Sequence, residues 1–344
     1  MVGFVKMKTY YTFDDIFVFP NYSTLHSRSE ADTSTHYGNL KLDLPIISSN
    51  MDTITNAEMA ITMRKYGALS ALHRFMSIED NVTEYKKVVE AGAECLVSVG
   101  VSGDYLERIN ALYGAGARYL LIDVAHGHHE LVKNTIYYLR NKWENGVHIT
   151  AGNVATPEAV YDLAKWGANI VKINIGSGSP CQTKLVTGIG LPSFSCICDC
   201  AEAADENEVK LIADGGIRHS GDFFKSFVAG ASYCMGGRIF AGTDEASSPL
   251  VANQLTGKLM KIYRGNASRE TQLILKKEVK HVEGVSTLVD LKGPVREVIN
   301  EFKYNLQSSM SYINARTISD ISIKAKWGVQ TNNGQIEGKP HILM

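Results

Sequence analysis

The 344-residue sequence has no apolar run long enough to span a membrane and no excess of either charge. Its 35 Lys and Arg residues nearly balance its 36 Asp and Glu residues, so a net charge of -1 provides no basic field for nucleic acid. The N-terminus also lacks the apolar core of a signal peptide. We therefore expect a globular cytoplasmic protein that binds neither nucleic acid nor membranes.

Cysteines are few, and we interpret most of them as packing residues. The six are Cys95, Cys181, Cys196, Cys198, Cys200 and Cys234. Cys95 and Cys234 lie in apolar strand-like runs, where a thiol behaves as a small hydrophobic group. The three cysteines at 196–200 could bind a metal, but they lack the C-x2-C spacing of zinc sites. They lie in a helix-like segment where only Cys196 and Cys200 share a face, so packing is favoured and a reducing compartment fits best.

Strand-like and helix-like segments alternate after an N-terminal arm at 10–42. The strand-like segments are 45–50, 68–72, 95–100, 119–125, 147–154, 170–176, 210–216 and 233–239, with helix-like segments such as 56–66, 78–91, 131–142, 157–166 and 220–229 between them. Nearly continuous apolar strands indicate a parallel sheet covered by helices. Eight is the number of strands that closes a (β/α)8 TIM barrel. A doubly wound open sheet is the alternative, because a sequence shows strand number and not closure.

The rest of the chain adds a flap and a tail to this single domain. We expect residues 1–326 to form the barrel with its arm, including a polar, charged segment at about 243–283 that could cover the strand ends. Residues 327–344 are predicted to be a loose, polar C-terminal tail.

One loop stands out chemically. The run Asn174-Ile-Gly-Ser-Gly-Ser-Pro-Cys-Gln-Thr183 follows an apolar strand and holds a single cysteine among small residues. Gly176 and Gly178 permit positive φ and close approach of a ligand. Cys181, with Thr183 two residues on, is placed like a nucleophile with a proton-handling neighbour. The alternative is a phosphate-binding turn with an incidental cysteine.

Glycines also follow the last two predicted strands. Asp214-Gly-Gly216 and Gly236-Gly-Arg238 lie where TIM barrels commonly hold a phosphate on backbone amides. Asp214 would repel a phosphate, so a sugar hydroxyl is its better partner. The alternative is that these glycines only turn the chain.

Other polar residues at strand ends are less specific. Asp52 and Asp123 each end a strand and could be structural carboxylates. His73, His126, His128 and His129 suggest a metal, but they lack a helical i,i+4 pair and a clear carboxylate ligand, so solvated loop histidines are favoured.

Taken together, these motifs resemble the IMP dehydrogenase / GMP reductase family over nearly the whole chain. The matching stretches are Thr12-Phe-Asp-Asp-Ile16, Ser23-Thr-Leu-His-Ser-Arg28, Pro45-Ile-Ile-Ser-Ser-Asn-Met-Asp-Thr53, Ala151-Gly-Asn-Val154, Gly176-Ser-Gly-Ser-Pro-Cys-Gln-Thr183, Ile212-Ala-Asp-Gly-Gly216 and Tyr263-Arg-Gly265. The resemblance implies that Cys181 attacks C2 of a purine ring and forms a covalent thioimidate. It also implies that Thr183 and Glu283 move protons for the departing group.

The resemblance assigns further residues to three groups. Substrate binding is implied for Met51, Ser179, Asp214, Gly215, Gly216, Gly237, Arg238, Tyr263, Gly265, Asn266, Ala267 and Lys280. Binding of a nicotinamide cofactor is implied for Arg74, Asp123, Val124, Ala125, Asn153, Ile175 and Gly176, with Ser27 and Arg28 reaching the cofactor of a neighbouring subunit. The backbone carbonyls of Gly176, Gly178 and Cys181 resemble the family's potassium ligands.

Within the family, the chain looks more like the reductases than the dehydrogenases. A dehydrogenase hydrolyses the covalent adduct with an Arg-Tyr pair on a long flap, whereas no tyrosine occurs here between Tyr263 and Tyr304. The CBS insert usual in dehydrogenases is also absent. The implied function is reduction of GMP, or a close guanine nucleotide such as dGMP, to the IMP-type product and ammonia with NADPH, in a homotetramer. The alternatives are an IMP dehydrogenase using NAD and a purine-nucleotide-binding protein without turnover.

Several positions depart from the reductase pattern. Asn266 and Ala267 replace a Met-Ser pair, Lys280 and Val282 replace an Arg and a Ser at the guanine edge, Asn174 replaces a glycine, and Arg238 replaces a small residue beside the phosphate. Changed hydrogen-bond partners at a base edge can alter specificity strongly, so the sequence leaves the preferred nucleotide open.

Overall fold

The apolar segments of the alternating pattern close into a parallel barrel. The computed structural model describes residues 8–275, 279, 281–340 and 342. Three arm strands, β1 (Ile16–Phe19), β2 (Thr35–Tyr37) and β3 (Leu40–Leu42), precede the barrel strands β4 (Ile46–Ser48), β5 (Leu69–Leu72), β6 (Leu96–Val99), β7 (Tyr119–Asp123), β8 (His148–Val154), β9 (Ile170–Ile173), β10 (Lys210–Asp214) and β11 (Tyr233–Gly236). Strands β4 to β11 pair in sequence and β11 returns to β4. The TIM-barrel prediction is therefore confirmed, and the open-sheet alternative is wrong.

Helices cover the outside of the barrel. They are α1 (Ala57–Lys65), α2 (Ile78–Glu90), α3 (Tyr105–Gly114), α4 (Glu130–Trp143), α5 (Pro157–Trp166), α6 (Thr183–Thr187), α7 (Ser193–Glu206), α8 (Ser220–Val228), α9 (Arg269–Leu275), α10 (Val295–Tyr312), α11 (Ser319–Lys324) and α12 (Asn332–Glu337). Helix α5 shows why the boundaries were predictable: Thr156 caps its N-terminus, Pro157 occupies the first turn, and Gly167 ends it in the left-handed conformation. Among the described residues, no helix has both the length and the apolarity needed to cross a membrane.

The β2–β3 hairpin plugs the N-terminal end of the barrel. Tyr37 and Leu42 from the hairpin are fully buried against inward-facing residues of the barrel, including Ile47 and Met235. The Tyr37 hydroxyl hydrogen-bonds the Thr150 hydroxyl inside the barrel. This end is therefore filled by side chains, which leaves the opposite end of the strands for ligands.

An inserted sheet lies after the last barrel strand. Strands β12 (Leu250–Ala252), β13 (Leu259–Arg264) and β14 (Ser286–Asp290) form an antiparallel sheet. We call the inserted segment 250–290, which contains this sheet, the flap. Because β14 pairs with β13, the inserted segment continues to Asp290, beyond the boundary predicted at about 283. The buried Lys261 ammonium donates to the carbonyls of Thr243, Asp244 and Ala246 at 2.7–2.9 Å, which ties the flap to the barrel.

The segment predicted as a loose polar tail contains regular structure. Strand β15 (Lys326–Val329) pairs antiparallel with β1, so the two ends of the chain form one ribbon. The Trp327 ring packs edge-on against Phe194, with centroids 5.0 Å apart. The sequence did not indicate this strand, because the segment is polar and its partner strand is more than 300 residues away in the chain.

Candidate active site

The candidate nucleophile lies in a loop between β9 and α6. The Cys181 thiol is half-buried and donates to the Thr183 hydroxyl, with Sγ and Oγ1 3.2 Å apart. The Thr183 hydroxyl donates in turn to Glu283, with Oγ1 and Oε2 2.8 Å apart. A thiol, a hydroxyl and a carboxylate thus form a continuous proton path. The three residues predicted to be catalytic are brought together.

Backbone hydrogen bonds hold this path in place. The Val285 amide donates to the Pro180 carbonyl at 2.9 Å, and the Gln182 amide donates to the Glu283 carbonyl at 2.7 Å. The Glu283 amide donates to the Ala267 carbonyl at 3.1 Å. Glu283 is therefore fixed on both sides by main-chain bonds, even though it lies on the flap and Cys181 lies on the barrel.

A buried lysine that the sequence did not suggest joins two of the predicted site residues. Lys172, 2% exposed, places its ammonium 2.7 Å from Asp123 Oδ1 and 2.6 Å from Asp214 Oδ2. It also donates to the side-chain carbonyl of Asn153. The sequence feature that could have revealed this residue is a lone lysine inside the apolar strand β9. An unpaired charge is rarely buried, so such a lysine predicts carboxylate partners.

The ion pairs determine the charge states of these groups. Burial lowers the pKa of a lysine, but the carboxylates of Asp123 and Asp214 outweigh it and raise the pKa of Lys172 above its ordinary value. Burial likewise raises the pKa of the Asp123 carboxyl, but the Lys172 ammonium outweighs burial and keeps that pKa below its ordinary value. Both shifts favour the charged forms of Lys172 and Asp123, which form a buried ion pair.

The glycine loops after β10 and β11 form a small cradle with the flap. Gly215 and Gly216 both have positive φ, at 80° and 78°. A Cβ on Gly237 would lie 2.8 Å from the sulfur of Met51, 2.8 Å from the hydroxyl of Tyr263 and 3.0 Å from the hydroxyl of Ser49. Only glycine therefore leaves room between these groups, and backbone amides, hydroxyls and glycine loops are what a phosphate needs. We call this the phosphate cradle.

Arg238 adds a cation to the rim of the cradle. Its guanidinium is exposed and, within the described part of the chain, has no ion-pair partner. Its carbonyl accepts a hydrogen bond from Lys292 at 2.8 Å. Burial and the neighbouring Arg238 guanidinium lower the pKa of Lys292. The rim is thus suited to a negatively charged group.

Residues predicted to bind the cofactor lie at neighbouring strand ends. Asn50 donates to Asp123 Oδ2 at 2.9 Å. Asn153 donates to Asp214 Oδ2 at 3.0 Å, so a residue predicted to bind the cofactor and one predicted to bind the substrate share one network. The Arg74 guanidinium lies beside Gly100, and its Nε is buried without a hydrogen-bond partner among the described residues. Val124 and Ala125 follow β7, and Ile175 and Gly176 follow β9, so all of these positions are at the same end of the barrel.

Ser27 and Arg28 lie elsewhere. They line an open cleft of about 330 Å³ on the N-terminal arm, together with Leu25 and Tyr312. Their predicted role toward a neighbouring subunit's cofactor stays a prediction.

Further residues predicted to bind the substrate lie where the flap meets the Cys181 loop. Ser179 is exposed at the top of the loop. A Cβ on Gly265 would lie 3.2 Å from the Pro180 carbonyl, so Gly265, Asn266 and Ala267 run alongside that loop. Lys280 lies outside the described residues.

The histidines and cysteines that were considered as metal ligands make other contacts in the structure. His73 stacks on Phe75, and burial lowers its pKa to about 4. His128 contacts Asp162 at 2.8 Å. Cys196 and Cys200 are buried on α7, and Cys198 is half-buried. In the part of the chain that the structure describes, no three His, Cys, Asp or Glu side chains are arranged to hold a metal ion.

Comparison with known proteins agrees with this arrangement. The profile of the IMP dehydrogenase / GMP reductase domain matches residues 10–341. GMP reductase of Variovorax paradoxus (strain S110) is 37% identical over 338 residues, which cover 97% of this chain and 99% of that protein. Inosine-5'-monophosphate dehydrogenase of Nitrosopumilus maritimus (strain SCM1) is 26% identical over an alignment of 477 residues, which covers 99% of this chain and 100% of that protein. The crystal structure of a cysteine-to-alanine variant of Trypanosoma brucei GMP reductase with guanosine 5'-monophosphate superposes with a TM-score of 0.91, at 27% identity over 97% of this chain and 98% of that one. The chain belongs to the IMP dehydrogenase / GMP reductase family.

Proposed function

We propose that this protein reduces GMP, or a close guanine nucleotide such as dGMP, to the IMP-type product with release of ammonia, using NADPH. The observation that carries the proposal is the continuous path from the Cys181 thiol through the Thr183 hydroxyl to the Glu283 carboxylate. The relatives named GMP reductase support the reductase branch. The structural neighbour holding guanosine 5'-monophosphate supports a purine nucleotide as substrate.

The proposed chemistry uses these residues in turn. The Cys181 thiol loses its proton toward Thr183 and Glu283, and its sulfur forms a bond to C2 of the purine. The same pair returns protons to the 2-amino group, which leaves as ammonia. A reduced nicotinamide cofactor, held by residues such as Arg74, Asp123 and Asn153, would supply a hydride equivalent for C2. Breaking of the bond between C2 and the Cys181 sulfur then restores the thiolate of Cys181. Asp214 and the phosphate cradle hold the ribose and its phosphate during both steps.

The residues at the strand ends suit a nicotinamide cofactor. The buried Arg74 Nε lacks a protein partner among the described residues, and it lies near the Asp123 carboxylate. A donor and an acceptor side by side match the amide and ribose of such a cofactor. The choice of NADPH over NADH belongs to the proposal.

A monovalent cation would bind the Cys181 loop. The carbonyls of Gly176, Gly178 and Cys181 are the oxygen donors that K⁺ prefers. The Gly178 carbonyl accepts a hydrogen bond from the Cys181 amide at 2.9 Å, and a cation held by these carbonyls would add positive charge to the loop of the nucleophile.

We also propose a cytoplasmic homotetramer. The position of Ser27 and Arg28, in a cleft apart from the Cys181 loop of their own chain, supports a contribution to a neighbouring subunit's site. Light scattering of the purified protein tests the oligomeric state. A monomeric protein with full activity would contradict the shared site.

The first test is NADPH absorbance with purified protein and GMP, followed by dGMP and other purine nucleotides. GMP-dependent consumption with release of ammonia supports the proposal, and Cys181→Ala is expected to abolish it. Activity with IMP and NAD instead would establish a dehydrogenase. Tight nucleotide binding, with no turnover and no adduct on Cys181 by mass spectrometry, would establish a binding protein.

A further inference from the structure

Asn266 lies on a part of the flap whose backbone is fixed on both sides. The preceding Gly265 amide donates to the Val285 carbonyl at 3.0 Å. The following Ala267 carbonyl accepts the Glu283 amide at 3.1 Å. Because Glu283 belongs to the catalytic path, the position of Asn266 relative to Cys181 is determined by main-chain bonds and not by a mobile side chain.

The orientation of the Asn266 amide is determined by one hydrogen bond. Its Nδ2 donates to the Asn50 carbonyl at 3.3 Å. A backbone carbonyl can only accept, so the nitrogen must face Asn50 and the oxygen must face away from it. The Asn266 Oδ1 atom is buried and has no hydrogen-bond donor among the described residues.

A buried acceptor without a donor is costly. Leaving such a group unsatisfied destabilises the fold, and native proteins contain few such groups. Turning the amide over would satisfy nothing, because it would set two oxygens against each other. The free protein therefore presents a lone acceptor that a ligand can satisfy.

The surroundings of Asn266 identify the ligand. Asn50, its anchor, directly precedes Met51, whose sulfur borders the phosphate cradle at Gly237. On the other side, Gly265 lies against Pro180, next to the nucleophile. If a nucleotide binds with its phosphate in the phosphate cradle and its base at Cys181, the base lies beside Asn266.

We propose that Asn266 Oδ1 accepts a hydrogen bond from an N–H group of the bound purine and selects nucleotides that present such a donor at that edge. The proposal rests on the proposed function for the placement of the base, but not for turnover. The family resemblance gives methionine at this position, which offers no comparable acceptor. Asn266 is thus a specificity-determining residue that the reductase pattern does not supply.

Nucleotide binding measured by calorimetry tests this without requiring turnover. The ligands are GMP, N1-methyl-GMP, which lacks the N1 donor, N2,N2-dimethyl-GMP, which lacks both donors of the 2-amino group, and the 2,6-diaminopurine ribonucleotide, which gains a 6-amino donor and loses the N1 donor. We expect the wild type to discriminate roughly 10- to 100-fold between a ligand that offers the donor and its blocked counterpart. In Asn266→Leu, this discrimination is expected to vanish.

Two further variants separate recognition from folding. Asn266→Met fills the same space with the side chain that the reductase pattern gives and offers no comparable acceptor, so it is expected to stay folded and to lose the discrimination as Asn266→Leu does. Asn253→Leu is the matched control: it removes a flap asparagine whose side chain accepts from the amides of Leu255 and Thr256 and donates to the Met260 sulfur. It is expected to bind every ligand with the wild-type ranking.

The outcomes distinguish this inference from the proposed function. Equal loss of affinity for all ligands in Asn266→Leu, or an unchanged ranking, would overturn the role of Asn266 even if GMP is reduced. Donor-dependent binding that disappears in Asn266→Leu would support it even if no NADPH is consumed, in which case the proposed function fails and the inference stands.

Discussion

The Thr183 hydroxyl donates to the Glu283 carboxylate at 2.8 Å, although the two residues are 100 positions apart in the chain. Thr183 begins α6 on the barrel side, and Glu283 lies on the flap just before β14. The same hydroxyl accepts from the Cys181 thiol. The proton path therefore exists only when the flap is docked on the barrel, and docking of the flap and assembly of the catalytic groups are one event.

Removing the hydroxyl from this path should slow the chemistry without weakening nucleotide binding. We expect Thr183→Val to lower kcat by roughly 10²- to 10⁴-fold, the usual contribution of a positioned proton donor or acceptor, with little change in the KM for nucleotide. Steady-state kinetics measure both values. Thr187→Val is the matched control, because its hydroxyl lies on the same helix and donates only to the Thr183 carbonyl. An equal effect in both variants would contradict the assignment.

Lys172 should be essential for stability as well as for the site. Lys172→Met leaves the carboxylates of Asp123 and Asp214 buried without their cation, and we expect a loss of about 3–5 kcal/mol in the free energy of unfolding. Urea denaturation measures this change in the free energy of unfolding. Lys210→Met, at an exposed position on β10, should change stability by no more than about 0.5 kcal/mol.

A second substitution identifies the cause of that loss. If unpaired charge is responsible, adding Asp214→Asn to Lys172→Met should recover part of the stability, because one uncompensated carboxylate is removed. Additive losses in the double variant would instead indicate a packing defect.

Arg238 should contribute to nucleotide binding through its charge. We expect Arg238→Ser to raise the KM for nucleotide by about tenfold, equivalent to about 1.4 kcal/mol, with kcat unchanged. The effect should shrink at high salt, since an exposed cation is screened. Lys86→Ser makes the same change in net charge at an exposed position on α2 and should leave KM unaltered. An unaltered KM in Arg238→Ser would leave Arg238 a surface residue.

His148 should make the fold sensitive to mild acid. Its ring packs against Tyr37 and Tyr119 at centroid distances of 5.2 and 5.5 Å, and burial lowers its pKa from 6.5 to about 4. Between these two values the unfolded chain binds a proton that the folded chain does not. Stability is therefore lost as pH falls from 6.5 toward 4, by about 2 kcal/mol at pH 5 from this residue.

Replacing the imidazole should remove that contribution. His148→Phe keeps an aromatic ring among the tyrosines and eliminates Nδ1, which is buried without a partner among the described residues. We expect the decrease in unfolding free energy between pH 7 and pH 5 to be smaller in the variant by about 2 kcal/mol. Urea denaturation at both pH values gives the comparison. Identical pH dependence in wild type and variant would mean that His148 is already protonated or exposed.

Features carried by neighbouring residues were predictable from the sequence. Helix α5 illustrates this, because its cap at Thr156, its proline and its terminal Gly167 are all adjacent to the element that they bound. Strand β15 illustrates the opposite case. Nothing near Trp327 predicts a strand, because the hydrogen bonds that define it come from Ile16–Phe19 at the other end of the chain.

The alternation of eight apolar strands with helices and the small-residue loop that holds Cys181 follow from residues close together in the chain. Both depend on periodicity and backbone freedom within a few residues. Long-range packing is what brings Glu283 to Thr183, places Lys172 between Asp123 and Asp214, and leaves the Asn266 acceptor unpaired among the described residues. Those relationships require the barrel to close and the flap to dock, since closure and docking alone bring such distant residues within hydrogen-bond distance.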